Sequence, residues 1–220
     1  MPDSLPGQLV NLLAALLMLI AFAMLSQRRV LSLVRLFAWQ GVALAASTLI
    51  VAHTTGQTHL YVSAGITIAL KVILIPWVLH RAIDKLDVRW DVETLINIPT
   101  TMLAGIALVI FAFALATPIS QMASTITRST LGIALASVLL SFLMMIVRRK
   151  AIPQVIWFLA MENGLLFAAT SATYGMPLVV ELGVALDVLV ATFIFGIFFF
   201  HIREQFDSLD IGHMEKLKED

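Results

Sequence analysis

The chain has 220 residues, 60% hydrophobic and 13% charged, with 14 basic and 14 acidic side chains and a mean hydropathy of +0.97. Soluble domains carry about 45–50% apolar and about 25% charged residues, so this composition predicts an all-α integral membrane protein with too little polar chain for a soluble catalytic domain. Without cysteine there are no disulfides, iron–sulfur clusters or cysteine-type zinc sites, and the five histidines show no ligand spacing, so no metal and no cofactor is expected.

About 20 apolar residues cross a bilayer as a helix. On that rule the chain contains seven expected spans: 8–26, 31–52, 60–79, 99–116, 129–147, 153–173 and 178–201. No basic residue precedes the first apolar run, and Arg28-Arg29 follow it, which reads as a permanent span with the N-terminus outside rather than a cleaved leader. The other breaks are chemically marked. His53 to His59 separates spans two and three, and the charged segment Arg81 to Glu93 precedes span four. Pro118-Ile-Ser-Gln121 follows span four, Arg148-Arg-Lys150 ends span five, and Tyr174-Gly-Met-Pro177 turns the chain into span seven. Pro99, Pro153 and Pro177 stand at or just before helix starts, where a missing N–H costs little. Pro76 falls inside span three and is expected to kink it.

With the N-terminus outside, 12 of the 14 Lys and Arg fall in or beside inner segments, the exceptions being Lys71 and Arg128. The positive-inside rule therefore predicts seven spans in a prokaryotic inner membrane with the C-terminus cytoplasmic. The tail 202–220 has alternating charges and reads as solvated or lying on a neighbouring protein surface.

An internal repeat joins the two ends of the chain. Spans one and five both end in basic clusters. The next spans carry Phe37-Ala-Trp-Gln40-Gly41 and Leu159-Ala-Met-Glu162-Asn163, and the third members carry Ile68-Ala-Leu-Lys71-Val72 and Val184-Ala-Leu-Asp187-Val188. The pattern sets Gln40 opposite Glu162 and Lys71 opposite Asp187. It predicts two parallel three-helix units, 1–80 and 129–201, joined by a loop and one further helix over 81–128.

The stretch Trp157-Phe-Leu-Ala-Met-Glu162-Asn-Gly164 places a carboxylate in the middle of an otherwise apolar span, and Asp187 does the same in the next one. A charge at that depth costs on the order of 2.5–3.5 kcal/mol, so it faces protein or water and marks an ion pathway unless it serves only structure. Glu162 and Asp187 are accordingly read as proton-transfer residues. The bland alternative is an acid hydrogen-bonded to a neighbouring helix, with Asn163 as a local partner of Glu162. Glu181, near the outer interface, is read as interfacial, with a place at a proton exit as the alternative. Lys71 is a third candidate for proton transfer, or the fixed partner of Asp187, of Glu162 or of an acid on another subunit. Gln40 cannot titrate, so one half is expected to conduct and the other to support it. Arg35 is expected to snorkel to the interface. No nucleotide loop, Ser/His/Asp pattern or basic patch for nucleic acid is present.

Spans five to seven resemble the three-helix K-type small membrane subunit of respiratory complex I, also found in multisubunit cation/proton antiporters. The match lies in the basic turn, the mid-helix Glu162 and a second acid, here Asp187 in place of the family's Glu. The doubled layout, Ala160-Met-Glu162-Asn-Gly164, Val180-Glu-Leu-Gly183 and Asp207-Ser-Leu-Asp-Ile211 resemble the hydrogenase-4 component E family over essentially the whole chain. That resemblance implies a non-catalytic membrane-arm subunit of a group 4 [NiFe]-hydrogenase or formate hydrogenlyase-type complex. It further implies packing between antiporter-like and quinone-module-like subunits in the lipid bilayer, with a [NiFe]-hydrogenase soluble arm reached indirectly. Glu162 and Asp187 would carry protons or sodium ions along a lateral axis. The rival expectations are an antiporter subunit with no redox arm and a structural scaffold.

Overall fold

The computed structural model describes residues 5–86, 96–122 and 128–173, with Leu189 and Gly196. Within them the secondary structure is helical apart from single bridge residues at Arg148 and Lys150. The elements are α1 (Leu5–Leu25), α2 (Val30–Thr55), α3 (Thr58–Thr67), a π-helical segment (Ile68–Leu74), α4 (Ile75–Leu86), α5 (Ile98–Met122), α6 (Arg128–Val147) and α7 (Ala151–Thr173). Five helical stretches are long and apolar enough to cross a membrane, and Leu131–Val147 of α6 is a shorter apolar one. Apart from Leu189 and Gly196, the seventh expected span, with Glu181 and Asp187, lies outside the described residues, as does the tail 202–220.

Local chemistry sets the breaks. Gln27, Arg28 and Arg29 separate α1 from α2, because three polar side chains interrupt the apolar run. Gly56 ends α2 in the left-handed region (φ 68°), and its N–H closes on the carbonyl of Ala52 at 3.0 Å. Glycine takes that conformation without a Cβ clash. The turn between α6 and α7 is tied by the Gln154 side chain, whose amide donates to the carbonyls of Arg148 (2.8 Å) and Met145 (3.3 Å).

Two boundaries differ from expectation. The helix beginning at Ile98 does not stop before Pro118 but carries it inside, ending at Met122. Pro118 lies four residues from that end and has no N–H to give the carbonyl of Ala114, so the helix runs on to Met122 with one backbone bond fewer. Likewise α4 continues through Arg81 to Leu86 into the charged segment, because charged side chains at an aqueous helix end cost nothing. There the Arg81 guanidinium sits 5.6 Å from the centre of the Trp77 ring, a cation–π pair of the kind found where helices leave the bilayer.

Span three takes the form α3–π–α4 without a break. The N–H of Ile75 bonds the carbonyl of Leu70, five residues back. Pro76 follows directly. Its ring would press on the carbonyl four residues earlier in a regular α-helix, and it brings no N–H of its own. Widening the preceding turn to five-residue bonding relieves that contact, so the expected kink is realised as a π segment with Lys71 at its centre.

The core lies where α1, α2, α6 and α7 meet. One apolar cluster joins Met24, Leu25, Val30, Leu33, Phe37, Met144, Ile152, Ile156 and Trp157, and a second joins Ala14, Leu17, Leu44, Ala134 and Phe167. The last residues of α1 therefore share a layer with the last residues of α6, and the first residues of α2 with the first of α7. So α1 runs parallel to α6, and α2 parallel to α7. At Gly164 a Cβ would stand 3.1 Å from Val138 Cγ2, 3.3 Å from Ser137 Cβ and 3.4 Å from the carbonyl of Ala134, which allows α7 to lie close on α6. Gly164→Val is expected to cost about 1–3 kcal/mol by overpacking, read as a lower unfolding midpoint in detergent. Outward, Leu103, Ile110 and Ile146 are exposed, as apolar side chains facing lipid or a neighbouring membrane helix are.

Candidate functional site

Three elements bring four polar side chains together inside the apolar core. Lys71 comes from the π segment, Glu162 and Asn163 from α7, and Gln40 from α2. All four are buried, Gln40 and Asn163 completely. Lys71 Nζ lies 3.1 Å from Glu162 Oε1, with the two side chains 2% and 7% exposed. Alongside, Asn163 Nδ2 donates to Gln40 Oε1 at 3.2 Å.

The local sequence explains the placement. On α7, Trp157, Leu159, Ala160, Glu162, Asn163 and Phe167 are buried, while Leu165 is exposed, so the helix presents almost its whole middle to protein. Its carboxylate has no lipid-facing option. On α2, Gly41 follows Gln40. A Cβ there would sit 3.3 Å from Val72 Cγ2 and 3.4 Å from Lys71 Cβ, so the glycine admits the wide π turn against α2. Lys71 then spans the remaining distance to α7.

Of the sequence-expected residues, the fold joins Lys71 to Glu162. Among the described residues, Glu162 is the acid that Lys71 meets. Asp187 lies outside the described residues, and Arg35 is exposed as a snorkelling residue is. Asn163 turns its amide to Gln40 on the neighbouring helix. Among the described residues no cluster of three His, Cys, Asp or Glu offers a metal site.

Several polar atoms in the cluster are buried with no hydrogen-bond partner among the described residues: Gln40 Nε2, Asn163 Oδ1 and Glu162 Oε2. Buried polar atoms are ordinarily paired, and the exceptions concentrate at sites with a use for them. Chemically, an ammonium and a carboxylate in contact can hold their shared proton on either partner while staying neutral overall, and they can pass a proton on when a third group approaches.

A second buried cation was not singled out by sequence. Arg148, just past α6, donates from Nη2 to the carbonyls of Leu25 (3.2 Å) and Gln27 (3.1 Å) at the end of α1. Burial draws its guanidinium down to about 10, still protonated near neutral pH. It satisfies C-terminal carbonyls of α1, whose negative dipole end favours a cation. The signal available in sequence was only the basic triplet, which marks an inner boundary without saying which member turns inward.

No family model and no solved structure matches the chain. Among known proteins it is 31% identical over 212 residues, 96% of each chain, to uncharacterized protein Rv0085 of Mycobacterium tuberculosis. It is 22% identical over 212 residues to hydrogenase-4 component E of Escherichia coli K12 and of Shigella flexneri, covering 96% of this chain and 98% of each relative.

Proposed function

This chain belongs to one family with the Mycobacterium tuberculosis protein Rv0085, and from that premise we propose that it is a non-catalytic membrane-arm subunit of a hydrogenase-4-like complex. It moves protons or sodium ions through the membrane domain while other subunits carry out the redox chemistry. Support for the setting is the near-full-length similarity to hydrogenase-4 component E. The observation that carries the ion-handling part is the buried Lys71–Glu162 pair, 3.1 Å apart between apolar helices. Intramembrane ionisable residues are expensive and are kept where ions or protons pass.

In this reading the chain is two parallel three-helix units, 1–80 and 129–201, joined by 81–128 and followed by a cytoplasmic tail, 202–220. The like directions of α1 with α6 and of α2 with α7 support that arrangement. Seven spans, an outer N-terminus and an inner C-terminus follow from the distribution of basic residues. Glu162 and Asp187 are the transferring acids, with Lys71 as the group that exchanges a proton with Glu162. The partners are antiporter-like and quinone-module-like subunits, and through them a [NiFe]-hydrogenase arm.

A structural reading has one observation in its favour, that a direct ion pair can also serve simply to fix helix register. Glu162→Gln separates the two, because it keeps the side-chain shape and removes the titratable group. In the intact complex in sealed vesicles, ion translocation is expected to fall about 100-fold or more, as for loss of a positioned proton donor and acceptor. Unchanged translocation would leave the pair a structural one. The setting is tested by gentle detergent extraction of the tagged native protein and mass spectrometry of what remains bound. A [NiFe]-hydrogenase large subunit together with antiporter-like chains is expected. Antiporter chains alone would make it an antiporter subunit, and a lone stable monomer would overturn both assignments.

A further inference from the structure

We infer that Gln40, Asn163 and Gly41 are positioning residues that set the separation of Lys71 and Glu162 through α2; the inference rests on the ion-transfer reading of that pair. The two charges sit on different elements, Lys71 on the π segment and Glu162 on α7, and α2 packs against both. Whatever fixes α2 relative to each of them fixes the gap between the charges. On one side, Asn163, the neighbour of Glu162, is bonded to Gln40 at 3.2 Å, with both side chains fully buried. On the other, Gly41, the neighbour of Gln40, is the point where α2 touches the π turn at Lys71 and Val72. Glu162 is thus one residue from a point of contact with α2, and Lys71 is itself at one.

The amide pair is well suited to this task. Neither partner titrates, so the bond persists whichever of Lys71 and Glu162 holds the proton. The lengths also match. Gln supplies one more methylene than Asn, and Gln40 on α2 reaches the shorter Asn163 on α7 to make a single bond across the interface. A helix interface zipped only by apolar contacts can slide by fractions of an ångström, whereas one hydrogen bond between buried amides pins its register. The other ionisable groups on the elements packed against the pair lie away from its level. Among the described residues, α2 has Arg35 and His53, both exposed; α3 has His59 and Tyr61 near its start; α4 has His80, Arg81, Asp84 and Lys85 in its last turns; and α7 apart from Glu162 and 131–147 of α6 hold none.

The test exchanges lengths rather than chemistry. Gln40→Asn leaves the bridge one methylene short, Asn163→Gln leaves it one too long, and the double variant restores the total. All three are made in the intact complex and assayed in vesicles for ion translocation across a range of pH, with unfolding midpoints measured alongside. Both single variants are expected to lower translocation about tenfold and to move the midpoint of its pH profile, and the double variant is expected to recover both. Gly41→Ala is expected to move the pH midpoint as well, by pushing the π turn away from α2. Single variants that lower the unfolding temperature but leave the pH midpoint of translocation in place would overturn the inference, since a structural bond alone predicts that result. Glu162→Gln runs in parallel. If it leaves translocation unchanged, the ion-transfer reading fails; if it abolishes translocation while the amide variants behave as wild type, the positioning role alone fails.

Discussion

Replacing Lys71 by methionine is expected to destabilise the protein by about 3–5 kcal/mol, because it strands the carboxylate of Glu162 in an apolar interior. The methionine fills much of the lysine's volume, so lost packing contributes little and the effect isolates the charge. Removing both charges, as Lys71→Met with Glu162→Leu, is expected to restore most of the loss. Replacing a whole buried pair with apolar groups of similar volume is commonly neutral or stabilising. Unfolding of these two variants and of Glu162→Leu alone in detergent, by heat or denaturant, reads the coupling directly. A single variant no worse than the double would mean that the 3.1 Å contact is not a desolvated ion pair. The same double variant separates stability from activity, since it is expected to fold well and to translocate nothing.

Arg148→Met is expected to cost about 3 kcal/mol, the scale of losing charge-assisted hydrogen bonds and leaving their carbonyl acceptors buried. Its Nη2 serves two carbonyls, those of Leu25 and Gln27, and thereby ties the end of α1 to the end of α6. Arg148→Lys is expected to rescue only in part: both bonds come from one nitrogen, which an ammonium with three N–H groups can imitate, but the shorter side chain has to reach the same two carbonyls. Hydrogen exchange locates the damage: amides at the start of α2, Val30 to Val34, should lose protection before those of α7. Equal protection in the variant and the wild type would show that the end of α1 is held by apolar packing alone.

Glu162 and Lys71 were legible in the sequence for one physical reason. A charge inside a long apolar run is costly enough that its presence alone signals a buried partner. The identity of that partner was not legible. Lys71 and Glu162 are 91 positions apart by their numbering, and sequence alone allowed Asp187 or another subunit equally. Asn163 shows the same limit more sharply, since its amide crosses to Gln40 123 positions away. Pro76 announced a distortion but not its form, because a proline is accommodated by a kink, a broken helix or a widened turn, and the neighbouring helix decides which. Gly41 makes the widened turn possible here, and its role appears only once α2 and the π segment are side by side. The end of α5 was misplaced at Pro118 because a proline near a helix terminus reads like a proline beyond it. The helical character and five membrane-length helices were readable from composition and apolar run length, which fix a helix against lipid almost without regard to tertiary context.

The order of the two charges along the chain has a consequence for how the protein is made. Lys71 leaves the ribosome 91 residues before Glu162. At about 5–20 residues per second, roughly 5–20 seconds pass between them. Through that interval the newborn helix pair carries an ammonium at membrane depth without the carboxylate that later neutralises it. The fully buried amide of Gln40 is the polar group already at hand on α2, made just before the lysine. Slowing translation between residues 81 and 150 lengthens the time for which a half-made chain carries that uncompensated charge.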